Sequence, residues 1–206
     1  MTVMAEISCS CGACGLVLND STPKMALLCA CEDCRQAATW AAQRGGSLPK
    51  DILYSVYCRS DFSAARGVEN MRATRLRNDG RSTRIYCKSC YSCIAIDHKI
   101  SYANNVFMFQ PDHCRPSFNV ELTPTAMIQL RDYPGDTAPT PSEQLPVFHT
   151  FRYPQERARF LALSLVGTCF APPKTPSHGQ TVRDIITQLE PVEVLGLPQG
   201  APITSP

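Results

Sequence analysis

The sequence predicts a mainly β fold with short helices, followed by a helical extension at the C-terminal end. Two observations carry this prediction. Up to about residue 125, apolar residues occur in short, often alternating runs bounded by turn-forming residues, which is the pattern of strands. A helical spacing of apolar residues appears only after a proline-rich stretch, Pro134–Pro146. A length of 206 residues suffices for one domain with a sizeable core and an appendage.

The predicted strands are short, and one connection has a clear turn signal. Asn78-Asp79-Gly80 is typical of a hairpin turn, because Asp-Gly adopts the backbone twist that a tight connection needs. A short helix is expected at Arg35–Ala42. The predicted strands are Gly15–Leu18, Met25–Cys29, Ile52–Tyr57, Arg72–Leu76, Thr83–Cys87, Cys93–Asp97, Val106–Phe109 and Phe118–Leu122.

The last third of the chain predicts a linker and two helices, so we divide the chain into a β domain (1–133), a linker (134–153) and an extension (154–206). Pro154 suits the first position of a helix, and Gln155–Val166 follows it. A second helix is predicted at Thr181–Leu189, where four apolar residues share one face and are expected to pack on the chain's own core. A dimer contact is the alternative, and Gly196–Pro206 is expected to fray.

The small net charge argues against a partner that binds through strong charge attraction. A net charge of +2 creates no field that would attract nucleic acid or a membrane surface. The densest basic stretch runs from Arg72 to Arg84, and we interpret it as the solvated face of a hairpin, with an anion-binding patch as the alternative. The sequence shows no signal-peptide pattern and no run of about 20 apolar residues that could span a membrane. A cytoplasmic location, where thiols stay reduced, is therefore expected.

Nine of the twelve cysteines fall into three clusters that are spaced like metal ligands. Thiolates two or three residues apart can bind one ion without strain. Three such clusters offer more ligands than one tetrahedral ion can use, so two metal sites are predicted. The clusters are Cys9, Cys11 and Cys14; Cys29, Cys31 and Cys34; and Cys87, Cys90 and Cys93.

The spacing leaves two ways to assemble a four-cysteine site. Cys9 and Cys11 would share one face of a strand and join the pair Cys87 and Cys90, which has the spacing of a zinc knuckle. The alternative uses the four cysteines that also have knuckle spacings, namely Cys11, Cys14, Cys90 and Cys93. In the first arrangement Cys14 and Cys93 would be small buried residues.

The middle cluster places three thiols within six residues, with no fourth cysteine nearby in sequence. Cys29 and Cys31 would share a face at a strand end, and Cys34 would return through a turn. The fourth position could stay open for water or substrate, which is the arrangement of catalytic zinc. It could equally be closed by a remote residue. The remote candidates are Cys14, Cys58, Cys114, Cys169 or a histidine.

The three motifs together resemble the glutathione-dependent formaldehyde-activating enzyme family, which includes centromere protein V. The resemblance covers roughly residues 5 to 125, and all seven cysteines of the family pattern are present in order. The matching segments are Cys9-Ser-Cys11-Gly12, Cys29-Ala-Cys31-Glu-Asp-Cys34-Arg35 and Ser82-Thr-Arg84-Ile-Tyr86-Cys87-Lys-Ser-Cys90.

This resemblance implies a β-tent zinc fold with two zinc ions per chain. It implies a structural zinc on four cysteines and a catalytic zinc, open to a ligand, on the middle cluster. The structural set is Cys9, Cys11, Cys87 and Cys90, and the catalytic set is Cys29, Cys31 and Cys34. The family usually has glycine after its last Cys-x-x-Cys, and this chain has Tyr91. A positive φ at that position would strain a tyrosine.

The expected function is that of a zinc-dependent lyase acting on a small organic molecule. The family implies carbon–sulfur adduct chemistry with a glutathione adduct, and its divergent members suggest a recruited dehydratase, decarboxylase or carbon–carbon lyase of natural-product biosynthesis. The alternative is a non-catalytic zinc module that binds a protein or nucleic acid. A homo-oligomer is compatible with either. Either reaction needs a proton shuttle, and the candidates are His98, His113, His149, Glu32 and Asp33, with Arg35 as a candidate to orient an anionic group.

Overall fold

The protein was analysed as a computed structural model that describes residues 5–100, 102–136, 144–173 and 178–198. These residues form a mainly β fold, as the sequence predicts, with thirteen strands in two sheets and four α-helices. The strands are β1 (Glu6–Ser8), β2 (Gly15–Leu18), β3 (Met25–Cys29), β4 (Leu53–Arg59), β5 (Phe62–Arg66), β6 (Met71–Arg75), β7 (Ser82–Cys87), β8 (Cys93–His98), β9 (Val106–Phe109), β10 (Arg115–Pro116), β11 (Ala126–Ile128), β12 (Val147–Phe148) and β13 (Glu193–Val194). The helices are α1 (Glu32–Ala42), α2 (Pro154–Leu161), α3 (Ser164–Phe170) and α4 (Val182–Gln188).

The smaller sheet has the order β10-β1-β2-β5 and is antiparallel throughout. The larger sheet has the order β12-β11-β3-β4-β9-β8-β7-β6-β13. Its central strands pair antiparallel, whereas β11, β12 and β13 add in parallel near its two edges. The larger sheet therefore places the ends of β3 and β7, where Cys29 and Cys87 lie, within one continuous framework.

The larger sheet is buried on both faces because alternate residues of its strands enter two different cores. On β4, Val56 packs in the core between the two sheets, whereas Tyr57 packs on the opposite face. The first core also receives one face of α4, and the second receives residues from α1, α2 and α3. Because the second core holds Cys29 and Cys34, the C-terminal helices are part of the surroundings of the middle cysteine cluster.

Seven of the eight predicted strands are present, with ends that differ by up to two residues. The prediction at Phe118–Leu122 is wrong, because this segment is irregular. Its backbone groups bond to the side chain of Tyr54 instead of to a neighbouring strand. The Tyr54 hydroxyl donates to the carbonyls of Val120 and Leu122 at 3.0 Å and accepts from the Leu122 amide at 2.8 Å. The prediction also missed the short strands β1, β5 and β10 to β13.

The first helix starts three residues earlier than predicted. Cys31 is its N-cap, and its sulfur accepts a hydrogen bond from the amide of Cys34 at 3.3 Å. A cysteine is not among the usual capping residues, so this helix start was not predicted. Cys34 therefore lies in the first turn of α1 and not in the turn before the helix where it was predicted.

The helix predicted at Gln155–Val166 is two helices, α2 and α3, separated at Ala162 and Leu163. Phe160 and Val166 are both buried in the same core, with 5% and 0% of their surface exposed. On a straight helix, residues six apart would point about 120° away from each other. The break lets both side chains reach that core.

The second predicted helix is α4, capped by Thr181, and its apolar face packs on the chain's own core as expected. Strand β12 lies inside the segment predicted as a linker and extends the larger sheet. Most of the proline-rich stretch, residues 137–143, lies outside the described residues, as do residues 199–206 of the predicted frayed end. Within that end, Leu197 instead donates its amide to the carbonyl of Leu76 at 3.0 Å.

Candidate metal centres

The first half of the four-cysteine cluster is a tight turn after β1. Cys9 and Cys11 were predicted to share one face of a strand. This prediction is wrong, because both residues lie in the turn that follows β1. The turn is closed by hydrogen bonds from the Cys9 amide to the Cys14 carbonyl at 3.0 Å and from the Gly12 amide to the Cys9 carbonyl at 3.1 Å. Gly12 has a φ of +77°, which glycine adopts without strain. This turn directs the two sulfurs to one side.

The second half is the turn that follows β7. Cys87 is the last residue of that strand, and the Tyr91 amide donates to its carbonyl at 3.1 Å. Tyr91 has a φ of +52°, so this turn does require the conformation that the family pattern meets with glycine. The Tyr91 ring compensates in part, since it packs against Trp40 at 5.5 Å and under the guanidinium of Arg72 at 5.2 Å.

The four sulfurs of Cys9, Cys11, Cys87 and Cys90 all lie within 4.8 Å of one another. The Cys9 and Cys11 sulfurs are 3.5 Å apart, and those of Cys11 and Cys87 are 3.7 Å apart. A tetrahedral zinc with bonds of about 2.3 Å places its sulfurs ~3.8 Å apart. The cluster therefore already has the dimensions of a tetrahedral thiolate site.

The surroundings of this cluster favour the thiolate at Cys9 and Cys90 but not at Cys11. The Ala13 backbone favours a Cys11 thiolate, but hydrogen bonding to Cys90 and Cys9 outweighs it and raises the pKa of Cys11 to about 12. Although burial opposes ionisation, hydrogen bonds from Ser92 and Cys11 lower the pKa of Cys90 to about 6.

Cys14 lies behind the cluster, where burial strongly raises its pKa. Cys93 is on the other face of the sheet, where burial raises its pKa to about 12. The structure therefore assembles the first predicted set of four and separates the alternative set.

The middle cluster is built at the junction of β3 and α1. Cys29 ends the strand, Cys31 caps the helix and Cys34 lies in its first turn. Their three sulfurs lie within 4.8 Å of one another, beside the positive end of the helix dipole. A helix N-terminus favours thiolates because its free amides and dipole stabilise negative charge.

The three thiols differ in how easily they ionise. Hydrogen bonds from Cys29 and Cys31, together with the neighbouring Arg84 guanidinium, hold the pKa of Cys34 well below its ordinary value. Hydrogen bonding to Cys29 and Cys34 raises the pKa of Cys31 well above its ordinary value. For Cys29, a hydrogen bond with Cys31 favours the thiolate, but bonding to Cys34 and burial outweigh it, and its pKa also rises.

No fourth ligand completes this cluster within the described ranges. No further cysteine, histidine or carboxylate there lies within 4.8 Å of all three sulfurs. Of the remote candidates, Cys14 belongs to the surroundings of the four-cysteine cluster. Cys58, Cys114 and Cys169 are buried in the cores without joining either group. Of the two versions that the sequence left open, the geometry favours the one with an open position.

Of the predicted proton shuttles, His113 is the most deeply buried. Only 3% of its surface is exposed, and its Nε2 has no hydrogen-bond partner among the described residues. Burial lowers its pKa, while the nearby groups of Asp112 and Cys34 oppose this shift. An imidazole that stays neutral and keeps a free ring nitrogen can accept or donate a proton.

The other two predicted histidines have different surroundings. His98 ends β8 and contacts the ring of Tyr102 at 5.6 Å, and burial lowers its pKa. His149 is exposed next to β12, and its carbonyl accepts a hydrogen bond from the amide of Arg131. The roles of both in proton transfer remain predictions.

The polar residues around the middle cluster are used to anchor α1. Arg35 donates from both terminal nitrogens to the backbone carbonyls of Ala30 and Asp132. These bonds connect α1 to the end of β3 and to the short 3-10 helix Leu130–Asp132. Asp33 pairs with Arg77, and Glu32 accepts a hydrogen bond from Gln36 at 3.1 Å. The roles predicted for these three side chains toward a substrate therefore remain predictions.

The sequence analysis missed Arg84. It was interpreted as part of a solvated hairpin face, which is wrong for this residue because only 3% of its surface is exposed. The available signals were its place in the matched segment that ends at Cys90 and its position two residues before the aromatic Tyr86, since alternate strand residues share a face. Arg84 donates to the carbonyl of Asp33, the residue before Cys34, at 3.4 Å. Burial opposes the charged guanidinium, but the charges of neighbouring groups, Cys34 first among them, outweigh burial and raise its pKa.

Aromatic residues form a further part of these surroundings. The rings of Tyr57, Tyr102 and Phe170 lie 5.5 to 5.9 Å from one another in the core that also contains Cys29. The Tyr102 hydroxyl donates to that of Tyr57 at 3.2 Å, and burial raises the pKa of Tyr57 well above its ordinary value. Phe170 belongs to α3, so the extension contributes directly to this aromatic cluster.

A comparison of the chain with protein-family models and with curated proteins found no match. The resemblance to the formaldehyde-activating family therefore rests on the three cysteine motifs. Among the described residues, no helix is long and apolar enough to cross a membrane. What the structure itself shows is two cysteine groups that could each hold a metal ion.

Proposed function

We propose that the chain binds two zinc ions and acts as a lyase on a small organic molecule held at Cys29, Cys31 and Cys34. The observation that supports this most directly is the difference between the two groups. One brings four sulfurs together, and the other brings three together with no further ligand nearby among the described residues. Closed four-ligand sites are structural, and sites with three protein ligands are catalytic. Thiolate-rich sets of this kind suit zinc.

Zinc at the three-cysteine site would supply a Lewis acid that can polarise a carbonyl or hold a thiolate. The chain's own residues supply the surroundings. The helix N-terminus and Arg84 stabilise negative charge on the sulfurs. Aromatic residues pack in the same core as Cys29 and Cys34, and we assign proton transfer to His113, which is buried and whose Nε2 has no hydrogen-bond partner among the described residues.

Two reaction types fit these surroundings. One is addition of a thiol to an aldehyde, in which a carbon–sulfur bond forms and the thiol proton passes to the carbonyl oxygen, with glutathione and formaldehyde as the family implies. The other is a recruited dehydratase, decarboxylase or carbon–carbon lyase. The second is favoured by the extension, because α2 and α3 add Phe160, Val166 and Phe170 to the core beside the site.

Metal counting by native mass spectrometry tests the two-site proposal. We expect two zinc ions on the full chain and one on Cys31→Ala, with an unchanged circular dichroism spectrum. Cys58→Ala is the matched control, because Cys58 is buried but belongs to neither group, and it should keep both ions. A wild-type chain that binds only one zinc would refute the proposal.

The reaction type is tested by following glutathione and formaldehyde by NMR. Acceleration by the wild type that is lost in Cys31→Ala would support the carbon–sulfur reaction. No acceleration would exclude that reaction and leave the recruited lyase. A chain with two zinc ions, no turnover of candidate carbonyl substrates and salt-sensitive binding to DNA would support a non-catalytic module instead.

A further inference from the structure

Arg84 is a buried cation with no carboxylate partner among the described residues. It lies on β7 between Thr74 of β6 and Ile96 of β8, with 3% of its surface exposed. Its Nη2 donates to the backbone carbonyl of Asp33 at 3.4 Å. Within the described part of the chain, no carboxylate oxygen lies within 4.0 Å of its guanidinium.

Other arginines of the same hairpin are paired differently. Arg72 lies 3.5 Å from a carboxylate oxygen of Glu193, and Arg77 pairs with Asp33. Burying a guanidinium without a counter-charge is costly. Arg84 must therefore be balanced by another anionic group. Its hydrogen bond to the Asp33 carbonyl places it at the first turn of α1, where Cys34 lies.

The charge of the site follows by simple addition. Three thiolates and one divalent zinc ion carry a formal charge of −1, and Arg84 brings the total to zero. A monoanionic fourth ligand would then leave the buried site at −1. Without Arg84 the same ligand would leave it at −2, which a low-dielectric interior strongly disfavours. A neutral fourth ligand adds no charge to the site, so its binding should depend much less on Arg84.

We propose that Arg84 is a specificity-determining residue that lets the Cys29, Cys31 and Cys34 site accept a monoanionic donor as the fourth ligand. This inference rests on the proposed function, because it assumes a metal ion at those cysteines. The substrate class is a small molecule that presents a thiolate, an enolate or a carboxylate oxygen. Arg84 acts on this ligand through its fixed charge, so it is a positioning residue.

The test uses the full chain loaded with cobalt(II), whose visible absorption reports a change of ligand. The four-cysteine site has no open position, so only the middle site should respond. Azide serves as the monoanionic probe and imidazole as the neutral one, at one ionic strength. The variants are Arg84→Gln, Arg84→Lys and the matched control Arg81→Gln, since Arg81 lies on the same hairpin and is exposed.

We expect Arg84→Gln to weaken azide binding about 10- to 100-fold, as expected for loss of one nearby charge, and to change imidazole binding less than about threefold. Arg84→Lys should restore most of the azide affinity, and Arg81→Gln should match the wild type. Equal losses for both probes, or no loss for either, would overturn the inference.

Two outcomes keep the test decisive. If Arg84→Gln does not fold, Arg84→Met takes its place, because methionine also removes the charge and keeps an apolar side chain, and an unchanged azide affinity would contradict the inference. If the wild type binds only one equivalent of cobalt, the proposed function fails. Two equivalents with the same change in affinity for both probes would refute the role of Arg84 alone.

Discussion

The side chain of Ser92 joins the two halves of the four-cysteine cluster through Ser10. Its oxygen lies 2.9 Å from the amide nitrogen of Ser10 and 2.9 Å from the Ser10 hydroxyl. It also lies 3.3 Å from the sulfur of Cys90. Ser10 and Ser92 are 82 positions apart in sequence. Hydrogen bonds that involve no metal ion therefore connect the two turns that carry the proposed zinc ligands.

We expect Ser92→Ala to destabilise the protein by about 1 kcal/mol, because it leaves the partly buried Ser10 amide without its partner. Zinc should also leave the four-cysteine site faster, since the two turns lose a connection. Urea unfolding measures the first effect and transfer of zinc to a chromogenic chelator measures the second. Ser82→Ala, on the same hairpin, is the control, and equal behaviour of the two variants would contradict this role.

The two cysteine groups should differ in their effect on stability. Cys9→Ser should leave the chain largely unfolded, because the four-cysteine site closes a loop from the N-terminal turn to the end of β7. Cys31→Ser should keep the fold, since β3 and α1 are held by their own sheet and core contacts. Circular dichroism and thermal unfolding compare the two, and a folded Cys9→Ser chain would rule out the structural role.

Replacing Tyr91 separates backbone strain from ring packing. Tyr91→Ala and Tyr91→Gly both remove the contacts with Trp40 and Arg72. Only glycine also relieves the strain of a φ of +52°. We therefore expect Tyr91→Gly to be more stable than Tyr91→Ala by about 1 kcal/mol in urea unfolding. Equal stabilities would show that this turn changes its conformation once the ring is removed.

His113 is expected to act on turnover and not on metal binding. His113→Gln keeps a polar side chain of similar size but cannot exchange a proton near neutral pH, so turnover should fall about 100-fold or more. Native mass spectrometry should still count two zinc ions, because His113 is not within the ligand groups. His149→Gln is the control, since His149 is exposed. Unchanged turnover in His113→Gln would assign the proton transfer elsewhere.

The sequence determined the mainly β architecture and the three cysteine clusters because both depend on short-range features. Alternation along a strand and the spacing of cysteines within a few residues can be read without knowing the fold. The same locality explains why α4 and its apolar face were predicted correctly. It also explains why the ligand partners of Cys9 and Cys11 stayed open, since they lie on a distant turn.

The tertiary structure decided everything that depends on residues distant in sequence. It chose Cys87 and Cys90 over Cys90 and Cys93 because the turn after β7 directs only the first pair toward Cys9. It divided one predicted helix into α2 and α3 because a single core had to bury both Phe160 and Val166. It buried Arg84 beside Cys34, since a strand residue takes its environment from the elements packed over its sheet.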